Sequence, residues 1–157
     1  MVRFGAFIPL LLLFLLLGVS PTNSLNLGMA RLKVHIMRGT DLYGDTMTDT
    51  DAYVRVVFLR QKRQTSEITD DNNPSWNEDL VFGPVMLPAE PVMEIEVWDS
   101  DPWYDDLLGG CRTYLEVGSS GTLTCNLEYG YIKFSYTLEC GPNMGGNKCH
   151  EYVPVSG

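Results

Sequence analysis

From Arg31 onward the hydrophobic positions recur every second residue. Leu32, Val34 and Ile36 alternate with Lys33, His35 and Met37; Val54, Val56 and Phe58 with Arg55 and Val57; Ile95 and Val97 with Glu94 and Glu96; and Ile132, Phe134, Tyr136 and Leu138 with Lys133, Ser135 and Glu139. A period of two sets one face of each segment against a core and the other in water, as half-buried strands require. Weaker alternation at Gln64 to Thr69, Asn77 to Phe82, Gly110 to Val117 and Gly121 to Leu127 brings the expected strands to eight, punctuated by Gly, Pro, Asn and Asp. No segment sustains a 3.6-residue period. The pattern predicts an all-β fold, an eight-stranded antiparallel β-sandwich.

The first 24 residues break the pattern. A basic start at Arg3 is followed by an apolar run from Phe4 to Val19 and then by small and polar residues around Ser20 and Ser24. This reads as a secretory signal peptide over 1–24, because the run is shorter than the roughly 20 residues a membrane-spanning helix needs. A secreted, extracellular protein is expected. In an oxidising compartment Cys111, Cys125, Cys140 and Cys149, all in the C-terminal third, are expected to form two disulfides rather than a thiolate metal site. Sequential pairing, Cys111 with Cys125 and Cys140 with Cys149, is the expectation. A zinc site using His150 beside Cys149 is disfavoured by the absence of any CxxC spacing. The sandwich then occupies 25–140, and 141–157 forms a disulfide-tied extension.

Charge adds the chemistry. With 20 Asp and Glu against 11 Lys and Arg the formal charge is −9, which excludes a nucleic-acid binder by electrostatics, while 45% hydrophobic residues exclude a disordered polymer. The aspartates are not scattered. Asp45 and Asp51 fall in the loop after the first strand, and Asp99, Asp101, Asp105 and Asp106 in the loop after the fifth. If both loops meet at one end of the sandwich, five or six carboxylates converge and need a cation to neutralise them. An all-oxygen set in irregular loops suits calcium better than magnesium, which wants a strict octahedron. An EF-hand is excluded: loops counted from Asp49 or Asp99 lack Gly at the sixth position and Glu at the twelfth.

The stretches Gly44-Asp45, Thr50-Asp51-Ala52-Tyr53-Val54-Arg55-Val56, Asn73-Pro74-Ser75-Trp76-Asn77, Val97-Trp98-Asp99-Ser100-Asp101 and Asp106-Leu107-Leu108-Gly109 resemble a calcium-dependent C2 domain. Beyond them, Asn126 to Tyr136, Glu139-Cys140-Gly141-Pro142 and Gly145 to Pro154 are similar to the C-terminal C2 module of the perforins, whose cysteine pattern is shared. The resemblance implies Asp45, Asp51, Asp99, Asp101 and Asp106 as ligands of two or three calcium ions, with Asp105 a further ligand. It also implies the permuted, type II strand order. That agrees with the few residues left ahead of the first strand once the leader is removed.

Large apolar side chains accompany the acids: Tyr43 and Met47 in the first loop, Trp103 and Tyr104 in the third. Trp and Tyr favour the bilayer interface. The expected function is calcium-dependent binding to phospholipid membranes, with bacterial or target-cell surfaces and a role in innate, antimicrobial defence implied by the perforin resemblance. A calcium-dependent lectin-like or protein-binding decoy of perforin-type cytolysis is the alternative. An enzyme is not expected, since no Ser or Cys nucleophile is evident around His35 or His150 and no Gly-x-Ser-x-Gly elbow occurs. Arg60 to Arg63 resembles the basic patch some C2 domains turn to phosphoinositides, yet reads more simply as a solvated hairpin. Trp76 and Trp98 are expected in the core.

Overall fold

The computed structural model describes residues 28–43, 49–146 and 149–154. Two antiparallel sheets pack face to face. In the first, β1 (Ala30–Thr40) lies between β4 (Ser75–Val85) and β9 (Tyr131–Cys140), and the far side of β9 is paired in turn by β7 (Gly118–Ser119) and β8 (Leu123–Asn126). The second runs β3 (Gln61–Gln64), β2 (Ala52–Phe58), β5 (Val92–Asp99), β6 (Asp106–Tyr114). Because β7 and β8 are two stretches of one interrupted edge, the two sheets of the described residues count eight strand positions, the number expected. The last long strand, β9, lies beside the first, with Ala30 opposite Cys140 and Thr40 opposite Tyr131. This is the type II order.

The alternation seen in the sequence is the burial pattern. Leu32, Val34 and Ile36 of β1, Val54, Val56 and Phe58 of β2, Ile95 and Val97 of β5, and Ile132, Phe134 and Leu138 of β9 are buried in a single core. The edge-on pair Phe58 and Phe82, 6.1 Å between centroids, joins the two sheets.

Two expectations need correction. The third strand is Gln61–Gln64, not Gln64 to Thr69. A two-residue turn at Leu59-Arg60, with Leu59 at φ +53°, sets Phe58 opposite Gln61. As an edge strand with no apolar side chain, β3 offers no alternation to read. Thr65 instead accepts the Val54 N–H through Oγ1, and Ile68 makes an isolated bridge to Ala52. The second correction is Trp98, which is half-buried on the outer face of the second sheet, its ring 4.8 Å beneath the Arg55 guanidinium, whereas Trp76 is in the core as expected.

Cys111 pairs with Cys125, Cα atoms 5.9 Å apart, tying β6 of one sheet to β8 of the other. Cys140 pairs with Cys149, Cα atoms 5.2 Å apart. That bond fastens the extension, with its short hairpin β10 (Met144–Gly145) and β11 (Glu151–Tyr152), at the end where β1 begins and β9 finishes.

Candidate functional site

The opposite end of the sandwich gathers residues 41–43 and 49–51 with the loops at 65–74, 100–105 and 127–130. Backbone hydrogen bonds to carboxylates fix the first three to one another. Asp99, the last residue of β5, is 6% exposed, and its Oδ1 accepts the N–H of Asp51 at 2.7 Å. Asp51 Oδ1 in turn accepts the N–H of Asp70 at 2.7 Å, while its backbone carbonyl accepts the N–H of Ser100. Asp51 and Asp99 therefore meet because Ala52 and Asp99 are register partners at the ends of β2 and β5. Charge-assisted bonds of this kind are about twice as strong as neutral ones.

A second set of bonds explains the Asn-Pro segment. Asn72 Oδ1 accepts both the N–H and the hydroxyl of Thr50, its Nδ2 donates to Asp49, and its backbone carbonyl accepts the N–H of Leu42. Asn73 Oδ1 accepts the N–H of Asp41, and the Pro74 carbonyl that of Gly39. The second loop is a strap across both described ends of the first.

The remaining acids are placed by the third loop. Asp101 is partly buried within it. Asp106 opens β6 directly opposite Asp99 and is exposed. Asp105 accepts a 2.7 Å bond from the Tyr53 hydroxyl, to which Arg55 donates at 2.9 Å. Arg55 lies over the rings of both Tyr53 and Trp98 and pairs with Glu96. Burial, reinforced by the bond to Asp105, pushes the Tyr53 phenol up to about 12. Asp45 and Met47 lie outside the described residues. Among the described residues no three Asp, Glu, His or Cys side chains are already gathered as a metal cage. The acids brought to this end nonetheless sit on three tethered loops, and their carboxylate oxygens are hard donors of the kind that fits calcium.

The same loops carry exposed aromatics. Trp103 is 87% exposed, Tyr104 85% and Tyr43 45%. Tyr43 meets Tyr129 edge-on, 5.9 Å between ring centroids. Tyr129, from the turn joining β8 to β9, and Asp70 belong to this end of the molecule, and strand alternation marks neither. Their signals are an aromatic beside the turn glycine Gly130 and an acidic doublet, Asp70-Asp71, ahead of Asn72. The structure also puts Ser135 opposite His35, whose Nδ1 meets Asp79 at 2.8 Å, a neighbour the sequence does not reveal.

A family model described as the C2 domain matches residues 30–127. Human perforin-1 is 42% identical over 128 residues, 81% of this chain, and the chain spans 23% of that protein's length. A solved structure described as that of a C2 domain superposes with a TM-score of 0.64 at 30% identity, covering 70% of this chain and 98% of its own. A calcium-bound structure of two C2 domains of extended synaptotagmin 2 matches with a TM-score of 0.60 at 23% identity, covering 69% of this chain and 45% of that one. Fold and sequence agree, and the chain belongs to the C2 domain family.

Proposed function

We propose that this protein is a secreted, calcium-dependent phospholipid-binding module that docks on membranes through the 41–51 and 100–105 loops. The carrying observation is the make-up of one end: the Asp99 carboxylate holds the Asp51 backbone N–H, and Trp103 and Tyr104 stand bare in the loop that follows Asp99. C2 domains generally bind phospholipid membranes, commonly with calcium, and the matched extended synaptotagmin 2 structure holds calcium.

Asp45, Asp51, Asp99, Asp101 and Asp106 would hold two or three ions, with Asp105 joining from its bond to Tyr53. Bound calcium supplies positive charge at an acidic tip and coordination positions for headgroup phosphate. The chain's own residues do the rest. The Asn72 and Asn73 strap and the Asp51–Asp99 bond hold the loops in register. Trp103, Tyr104 and Tyr43 present rings that favour the interface, each worth roughly 1.5–3 kcal/mol when fully buried. Met47 belongs to the same tip in this reading. Without neutralisation the carboxylates oppose an anionic bilayer; with it they no longer do.

The perforin relationship supports a role in innate defence at bacterial or target-cell surfaces, with Met1 to Ser24 serving as the export leader. A non-enzymatic role is proposed with it. Although Ser135 neighbours His35, the surrounding backbone N–H groups face sheet partners and do not converge as an oxyanion hole. Co-sedimentation with phosphatidylserine vesicles and with bacterial cells tests the reading: binding in calcium and release by chelator are expected, and equal sedimentation in both conditions would sink the calcium dependence.

A further inference from the structure

The outer face of the first sheet carries a groove that the loop tip does not use. Two β-bulges lie there at one level. Against β9 the extra residue is in β1: Ile36 pairs with Phe134 and Arg38 with Lys133, leaving Met37 between them. Against β4 the extra residue is in β4: Ile36 pairs with Glu78 and Arg38 with Ser75, and Asn77 adopts φ +49°. In a regular strand Arg38, two residues after the buried Ile36, would point into the core. The bulge turns Met37 and Arg38 outward together, and inward alternation resumes at Gly39, which is buried. A Cβ at Gly39 would come within 2.6 Å of the Leu42 side chain, which would have to move aside. Bulges of this kind re-aim side chains and recur beside functional sites.

What is re-aimed is a cation into cationic company. Arg38 and Lys133 line a groove of 500 Å³ with His35, Met37, Ser75, Asn77 and Thr122, and among the described residues no acid lines it. The groove adjoins a 310 Å³ hollow through His35, where Lys33 adds a further positive charge. Among the described residues Asp79 is the single acid lining the pair, and it is engaged by His35 at 2.8 Å and Lys33 at 3.5 Å. In a chain of net charge −9 this face runs against the average. Asn77 Nδ2 donates to Ser75 Oγ at 2.9 Å, which orients the Ser75 hydroxyl as a donor.

We infer that the bulged groove binds a phosphomonoester dianion, with Arg38 and Lys133 as its charged contacts and Ser75, Asn77 and Thr122 as hydrogen-bond donors. The planar guanidinium presents paired N–H groups that match phosphate oxygens, the ammonium adds a point charge, and the hydroxyls and amide satisfy the remaining oxygens. The site faces away from the basic Arg60 to Arg63 hairpin, which belongs to the other sheet, and it requires no calcium. A lipid headgroup or a soluble phosphate ester supplies the same group.

The test uses protein expressed from its full reading frame, in chelator so that the loop tip is silent. Isothermal titration with inositol trisphosphate and flotation with phosphatidylcholine vesicles containing phosphatidic acid separate the two sources. Saturable binding to either probe is expected, weakened at least about tenfold by Arg38→Gln with Lys133→Gln and unchanged by Lys62→Gln with Arg63→Gln. Binding to vesicles alone assigns the site to headgroups, and binding to the trisphosphate alone assigns it to soluble esters. If neither probe binds, if Arg38→Gln with Lys133→Gln changes nothing, or if the Lys62 and Arg63 variant is the one that loses binding, the inference fails. Both groove side chains point outward, so melting curves should match the parent. Lys133→Gln alone, which leaves the bulged residue intact, carries the test if the double variant melts early.

Discussion

Asp99 holds two separable roles, as a hydrogen-bond acceptor inside the loop scaffold and as a charge for a cation. Replacing it by Asn and by Ala tells them apart. The carboxylate is buried and accepts the Asp51 N–H at 2.7 Å. Ala removes the acceptor and strands that donor, at a cost of about 1–3 kcal/mol, and for a chain of this size each kcal/mol lowers Tm by about 3–5 °C. Asn keeps an oxygen for the donor and removes the charge, so in chelator its Tm should stay within about 3 °C of the parent. Calcium changes the order. At a free concentration one hundred times Kd the parent gains about 2.7 kcal/mol by mass action, a rise of about 8–13 °C by the same conversion, and both variants should lose most of it. Scanning calorimetry in chelator and in saturating calcium reads all six curves. A full calcium-induced rise in Asp99→Asn would remove Asp99 from the ligand set. An Asp99→Ala protein as stable as the parent in chelator would refute the scaffold role.

Trp103→Ala should leave Tm unchanged, because its ring is 87% exposed, and should weaken calcium-dependent vesicle binding by about 1.5–3 kcal/mol, roughly 10- to 150-fold; undiminished sedimentation would mean the ring stays out of the bilayer. Tyr53→Phe should flatten part of the alkaline stability loss: with the phenol raised from 10 to about 12 in the folded state, its contribution is complete below pH 10 and is lost as pH rises towards 12. Urea unfolding of parent and variant at pH 8 and pH 11 checks the sign, and a difference that grows at pH 11 would reverse it. Removing the inter-sheet bond with Cys111→Ala and Cys125→Ala opens a loop of sequence separation 14 and should cost about 3 kcal/mol, seen as an earlier melt with calcium binding retained.

Much of the fold is legible in one dimension. Alternation at Leu32, Val34 and Ile36, at Val54, Val56 and Phe58, and at Ile132 and Phe134 marks the core strands, because a strand between a core and water must repeat every two residues. The edge strand Gln61–Gln64 is invisible: its order comes from the turn and from pairing with β2, neither of which needs an apolar side chain. Trp98 misleads for a related reason. Its hydrophobicity suggests the core, but parity along β5 puts it on the outside, where Arg55 covers it.

Residue type and spacing alone carry the two-residue periodicity, the acidic loops, the aromatics beside them and the C2 membership they spell out. The chain holds these properties before it folds. Other features come into being with the folded molecule: Asp99 receives the Asp51 N–H, Asp70 and Asn72 strap the first loop, Tyr129 meets Tyr43, and paired bulges swing Arg38 over to Lys133. Each joins residues far apart in sequence, so it exists only once strand register has been fixed by burying one face of both sheets.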